Sequence, residues 1–286
     1  VTEAVTIDEA FAHCAAQARE HYENFPVGLF VPRAKQPYVH ALYAFARVAD
    51  DFADEPLYEG FREQKLDEWE ARLHAAYDGQ AEGPIFVALG ETVRRLEIPK
   101  LLLLDLLSAF RQDTVKRRYA SWDELLDYCR RSANPIGRLV LIVFGYAGTA
   151  LEQQSDAVCT ALQLANHWQD VAVDLAKDRI YIPSELLQTH GVSEADLRAG
   201  RMHDGYRSLM QDLVARTRQL FAAGRPLCDG VGRDLRFEMR LTWLGGSGIL
   251  DRILAADGDV FTRRPHWRLA DKLGLAWRAW RWRVAA

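Results

Sequence analysis

Cysteine is scarce in this chain: four residues in 286 (Cys14, Cys129, Cys159, Cys228), scattered, with no C-x-x-C pair and no histidine at finger spacing. That excludes a disulfide-stapled scaffold and a zinc finger, and points to reduced, mostly buried thiols in a cytoplasmic protein. A long apolar run is missing too. The longest uncharged stretch, Leu139 to Leu151, has 13 residues and two glycines, too short to span a bilayer. No targeting segment is expected, because residues 1–24 mix acids with apolar residues from the start. β-Branched runs are short and no hairpin dipeptide separates alternating segments, so strands should be few. No repeat, low-complexity tract or Gly/Ser linker divides the chain. One all-α domain over residues 1–286 is the expectation.

Two chemistries are missing as well. No G-x-G-x-x-G follows a strand, which removes the Rossmann nucleotide site, and no Glu-x-x-His pair supports a di-iron bundle. Nor is there a basic surplus. Acids outnumber bases 40 to 36, a formal charge of −4, which is poor for a general nucleic-acid binder. The charge is uneven, however. Seven bases and one acid between Arg263 and Ala286 make that segment +6, leaving −10 for the first 262 residues.

Helix signals dominate what is present. Thr6 with Glu9, and Ser121 with Glu124, are capping boxes. They open helices to about Tyr22 and through Tyr128. Pro84 and Pro99 suit first turns, and Val39, Leu42, Tyr43, Ala46 and Ala49 recur at three and four along a helix from Pro37 to Ala53. Another helix is expected from Tyr58 to Tyr77, and another from Ser155 to about Leu175. Long helices follow at roughly 203–223, 233–254 and 268–283. Asn134-Pro135-Ile136-Gly137 disturbs a helix, because proline removes a backbone donor and crowds the preceding turn.

The segment Asp50-Asp51-Phe52-Ala53-Asp54 carries the most chemistry. Asp50 and Asp54 stand at i and i+4, one turn apart on one face, where like charges repel by about 0.2–0.5 kcal/mol. Arg47, a turn earlier, can pair with Asp51 or with a bound anion. A second stripe places Asn166, Asp170 and Asp174 at i, i+4 and i+8. A lone pair of acids at this spacing is most often a solvated face. Two stripes flanked by Leu42, Phe45, Leu162, Leu164 and Ala165 imply half-buried acids, which need a partner. Oxygen-only donors suit a hard cation, Mg²⁺ or Mn²⁺, and magnesium takes one or two carboxylates plus substrate phosphate oxygens.

These residues resemble a known family. Asp50 to Asp54, with Tyr43 and Arg47 upstream, is similar to the first aspartate-rich motif of squalene/phytoene synthases. Asn166 to Asp174, trailed by Asp178-Arg179-Ile180-Tyr181-Ile182-Pro183, is similar to the second. Arg118-Tyr119 and Leu126-Asp127-Tyr128-Cys129 match the central tyrosine segment, and the likeness spans about residues 10–265. Ser132-Ala133-Asn134-Pro135-Ile136-Gly137-Arg138 departs from the family's usual Val-Ala-Gly-x-Val-Gly. With Glu23-Asn24-Phe25-Pro26-Val27, it resembles the hopanoid-pathway branch, the HpnC type, which makes hydroxysqualene from presqualene diphosphate.

The resemblance implies an all-α isoprenoid synthase fold with a deep apolar cavity between the acidic helices. It implies Mg²⁺ (or Mn²⁺) held by Asp50, Asp54, Asn166, Asp170 and Asp174, all four aspartates being essential to catalysis. Arg47, Arg179, Lys177, Asp51 and His21 would contact the substrate diphosphate. Tyr43, Tyr128, Phe25, Phe52 and Tyr181 would wall a carbocation off from water. The departure from the family segment adds a separate expectation: backbone carbonyls freed by Pro135, with the Asn134 amide, would hold the water that quenches the cation. Hydration needs no reductant, so NADPH is not expected. The partners expected are an isoprenoid diphosphate and the pathway enzymes before and after, with no nucleic acid. In the tail, Leu269, Leu273, Trp277, Trp280 and Val284 form an apolar stripe beside Arg278, Arg281 and Arg283, over a basic helix at about 268–286. Such a helix either packs on the body or lies on the inner face of a membrane. Two rivals remain at this point: condensation of two farnesyl or geranylgeranyl diphosphates to presqualene diphosphate, squalene or phytoene, and a non-catalytic helical binding protein.

Overall fold

The structure is a computed structural model that describes residues 5–20 and 31–282. Among the described residues it holds fifteen α-helices: α1 (Ile7–Glu20), α2 (Gln36–Asp54), α3 (Arg62–Tyr77), α4 (Pro84–Leu96), α5 (Lys100–Val115), α6 (Trp122–Ser132), α7 (Asn134–Phe144), α8 (Thr149–Gln169), α9 (Val171–Ala176), α10 (Ser184–Thr189), α11 (Glu194–Arg198), α12 (Asp204–Gly224), α13 (Leu227–Gly230), α14 (Arg233–Ala255) and α15 (Leu269–Trp280). Arg118 and Ile180 form a single bridge, and no described helix is long and apolar enough to cross a membrane. The chain divides into two compact units. The first takes Val1–Val115 and Pro135–Ala147, the second Lys116–Asn134 and Gly148–Ala286.

In the first unit α1, α2 and α4 meet through small residues, Ala10, Cys14, Ala41, Ala44 and Ala88, all buried, which lets the helices approach closely. Below them Phe45 stacks on Trp69 at 6.1 Å, and Trp69 meets Phe86 edge-on at 4.5 Å. The helix expected from Tyr58 starts later. A 3₁₀ turn occupies Pro56–Tyr58, Gly60 sits at φ +85°, and only from Arg62 does α3 run. A residue in the left-handed region ends one helical direction and lets the chain set out on another.

In the second unit α8 and α12 form the central pair. Gly224 is required there, because a Cβ would stand 2.5 Å from Val158 Cγ2 and 2.8 Å from the Gln154 carbonyl. Trp168 is fully buried, and its indole donates to Thr217 Oγ1 at 2.8 Å. Ser121 caps α6 as expected, accepting from the Glu124 amide at 3.2 Å. Pro135 does not kink a helix. It stands in the first turn of α7, where no amide partner is needed, after α6 has ended at Ser132. Helix α8 also differs from expectation at both ends. It starts at Thr149, leaving Ser155 buried mid-helix, and it stops at Gln169. Asp170 (φ −105°, ψ 14°) is the joint between α8 and α9.

Candidate active site

Helix α2 presents the first stripe, in the first unit. Arg47 Nη1 donates to Asp50 Oδ2 at 3.2 Å and Nη2 pairs with Asp51 Oδ1 at 2.5 Å, so one guanidinium spans both acids. Asp54 closes the helix, half-buried. Beside the stripe lies a pocket of about 260 Å³, lined by Val39, Leu42, Tyr43, Ala46, Phe110, Ile136, Leu139, Val140 and Val143, with Arg47 and Asp50 as its charged residues. Apolar walls with one charged corner are the shape a prenyl chain with an anionic head requires. Burial, with Asp51 and Asp50 nearby, raises the Tyr43 hydroxyl above its ordinary pKa, against the opposing pull of Arg47, so it stays a neutral donor. Phe52 goes elsewhere: its ring packs edge-on against Tyr58 at 4.9 Å and Trp69 at 5.4 Å.

The second stripe, in the second unit, survives the break at Asp170. The Asp170 amide donates to the Asn166 carbonyl and the Asp174 amide to the Asp170 carbonyl, both at 2.9 Å, so each side chain stays one turn from the next. Asp170 is buried and strongly held. Asn166 Nδ2 donates to Oδ2 at 2.8 Å, Arg264 Nη2 donates to the same oxygen at 2.9 Å, and Arg264 Nε donates to Oδ1. Gln169 Nε2 donates to the Pro265 carbonyl, tacking this turn down. The spacing of the acids gave no hint of Arg264, which lies in the basic tail segment 94 residues beyond Asp170.

The loop after α9 is pinned by ion pairs. Asp178, at φ +56°, accepts from Arg118 Nη2 at 2.9 Å and Arg198 Nη2 at 2.5 Å, and those bonds pull its carboxyl down to about 2. Arg118 also holds Glu194 at 2.8 Å. The Ile180 amide donates to the Arg117 carbonyl at 2.9 Å, which fixes where Arg179 and Tyr181 leave the chain. Lys177 is exposed. Tyr181 stacks on His167 with ring centroids 3.7 Å apart, and Tyr119 and Tyr128 lie within 6.0 Å of it, so the tyrosines form one aromatic group. His167 is a residue the sequence reading missed. Burial pushes it down to about 3, so it is neutral, and its Nε2 has no hydrogen-bond partner. It borders a small cavity shared with Asp174, Arg179 and Tyr181.

Asn134 is buried, and its Oδ1 accepts from Thr160 Oγ1 at 2.9 Å, which orients the amide. His21 and Phe25 lie outside the described residues. Among the described residues no group of three or more His, Cys, Asp or Glu converges to hold a metal. The donors come as oxygen-bearing pairs at Asp50/Asp54 and Asp170/Asp174, with Asn166 beside the second. That set fits magnesium, which keeps waters and shares phosphate oxygens, better than a metal needing an all-protein cage.

Comparison with known proteins gives the family and the fold. The family model for squalene/phytoene synthase matches residues 18–271. A hydroxysqualene synthase of Rhodopseudomonas palustris is 37% identical over 224 residues, covering 77% of this chain and 75% of its own. A phytoene synthase of Thermus thermophilus is 34% identical over 251 residues, covering 87% and 84%. The crystal structure of squalene synthase HpnC from Alicyclobacillus acidocaldarius superposes with a TM-score of 0.84 at 42% identity, over 88% of this chain and 95% of that one. The all-α fold is thus that of the isoprenoid synthases, and this chain belongs to the squalene/phytoene synthase family.

Proposed function

We propose that this isoprenoid synthase converts presqualene diphosphate to hydroxysqualene. The observation that carries the substrate class is the first-unit pocket, apolar along its walls and, among the described residues, charged only at Arg47 and Asp50. The hydroxysqualene synthase and HpnC relatives support the choice of product. The scaffold alternative gives way to the family assignment.

Asp50 and Asp54 on α2, and Asn166, Asp170 and Asp174 at the α8–α9 joint, are the groups that would hold Mg²⁺. When bound, the metal supplies Lewis-acid stabilisation of the departing diphosphate. Arg47, Arg179 and Lys177 donate to phosphate oxygens, with Asp51 keeping Arg47 in place and His21 assigned to the same group. Arg264 joins this set because it already neutralises Asp170. Ionisation leaves a carbocation, and Tyr43, Tyr128 and Tyr181 keep bulk water from it while their ring faces attract its charge, with Phe25 assigned to the same role. Asn134, oriented by Thr160, holds the one water that adds. Cation plus water gives alcohol plus a proton, which passes to the released diphosphate or to solvent. Nothing is oxidised or reduced, so NADPH has no part in the step.

A second reading stands on the phytoene synthase likeness: condensation of two farnesyl or geranylgeranyl diphosphates. One assay separates them. Presqualene diphosphate and farnesyl diphosphate are supplied separately with Mg²⁺, with and without NADPH, and the lipid products identified. Alcohol from presqualene diphosphate without NADPH is the expected result; turnover of farnesyl diphosphate alone transfers the assignment to condensation. On this reading the enzyme works in the cytoplasm, at most peripherally attached to the inner face of the membrane.

A further inference from the structure

Helix α15 is apolar on two opposite sides. Its inner side, Leu275 and Ala279, is buried against Leu244, with Phe237, Leu241, Trp243, Trp267 and Trp282 around the contact. Its outer side carries Leu273, Trp277 and Trp280 at i, i+4 and i+7, one stripe by helical geometry, and they are 72%, 57% and 75% exposed. Two tryptophans and a leucine turned to water on twelve residues are an interaction surface in waiting. The sequence left a choice between a helix packed on the body and a helix lying on a membrane. The structure packs it through the other side and leaves the stripe outward.

The rim of that stripe is basic. Lys272, Arg278 and Arg281 are all exposed, and Arg281 lies over the Trp277 ring at 5.0 Å. The helix's one acid, Asp271, is paired with Arg252 at 2.8 Å. The helix is too short to cross a bilayer, but its length and composition suit lying along one.

We propose that the outer face of α15 docks on an anionic lipid surface, with Leu273, Trp277 and Trp280 entering the interfacial layer. Lys272, Arg278 and Arg281 meet the headgroups. Indole rings favour that layer, and each base near an anionic leaflet adds to the attraction. Charge decides against a second copy of the chain as occupant. A two-fold contact would set the same patch against itself, with bases opposing bases. The inference stands on this surface alone and does not depend on which reaction the enzyme performs.

The test uses the full chain. Vesicles of phosphatidylcholine containing about one-third phosphatidylglycerol should sediment it, pure phosphatidylcholine should not, and added salt should release it. The double variant Trp277→Ser/Trp280→Ser should lose about tenfold or more in partitioning. The charge reversal Lys272→Glu/Arg278→Glu should do the same. Both should keep the wild-type melting temperature and turnover of detergent-dispersed substrate, because none of these four residues belongs to the site. Failure of the wild type to bind anionic vesicles overturns the proposal. So does unchanged binding by both variants, or a wild-type dimer in solution that Trp277→Ser/Trp280→Ser abolishes.

Discussion

On α2, Asp50 and Asp51 have a cation on their own helix: Arg47 reaches Asp50 at 3.2 Å and Asp51 at 2.5 Å from three and four residues away. At the α8–α9 joint Asp170 depends on a distant cation, Arg264, with Asn166 as its only local bond donor of the stripe. The exposures differ in the same sense. The Asp50 side chain is 45% exposed and that of Asp170 is 12%. Identical spacing in sequence therefore yields two electrostatic situations. One is a half-exposed cluster with a cation one helical turn away, the other a sheltered carboxylate whose cation comes from 94 residues further along the chain.

The largest effect should be shared by both stripes. Asp50→Ala and Asp170→Ala should each lower turnover by about a thousandfold while leaving the helical circular dichroism intact, the scale expected when a group that stabilises leaving-group charge is lost. Full activity in either variant removes that stripe from the chemistry. The partners should then separate the two. Arg264→Ala should cut activity and also lower stability by about 1–2 kcal/mol, discounted for the half-exposed guanidinium, because Asp170 stays sheltered. Arg47→Ala should cut activity with a stability change of at most about 0.5 kcal/mol. Equal melting temperatures for the two arginine variants would erase the contrast.

A third measurement extends the comparison to the other sheltered carboxylates. In the first unit Glu91 is bonded by Arg94 and Arg95, whereas Glu238 on α14, 3% exposed, has no hydrogen-bond partner at either oxygen. Burial alone pushes Glu238 up to about 8. The folded state therefore keeps a proton that the unfolded chain gives up above its ordinary value near 4.5. Stability from this group is complete below about pH 4.5, declines as pH rises, and is lost above about pH 8. Thermal melts across that window should fall by several degrees, and Glu238→Met should flatten the slope; an unchanged slope would place the titration elsewhere. The smallest effect on activity should be that of Ser121→Ala, which loses the α6 cap and about 1 kcal/mol of stability with turnover nearly unaltered.

What could be read from the letters follows the range of the interactions. Caps, prolines and the three-four periodicity are local, so α1, α2, α4, α6, α12 and α14 emerge within a few residues of where their signals lie. The one-turn spacing of Asp50 and Asp54, and of Asn166, Asp170 and Asp174, is legible for the same reason, since one turn of helix is a local ruler. The break at Asp170 was not legible, because nothing among its neighbours interrupts a helix. The joint coincides with contacts made by Arg264 and, through Gln169, Pro265. His167 was hidden too: a histidine one residue from a metal-ligand candidate is noticed only when its ring is found on Tyr181. The outer stripe of α15 was visible as a pattern. Which side of that helix packs could be known only once Leu275 and Ala279 were seen against Leu244.

The reach of the Asp170–Arg264 pair also sets an order of events in time. A chain emerging from the ribosome has the ion pairs of its first stripe available as soon as α2 is made, since Arg47, Asp50 and Asp51 lie within five residues. The second stripe has its letters by residue 174, but Asp170 lacks its arginine until 90 further residues have been synthesised. At about 5–20 residues per second that is a delay of roughly 5–20 seconds, in which a carboxylate destined for shelter must stay in water. The carboxylate end of the second unit is therefore among the last parts of the chain to set, and a nascent chain stalled before Arg264 should lack activity however well its earlier helices have folded.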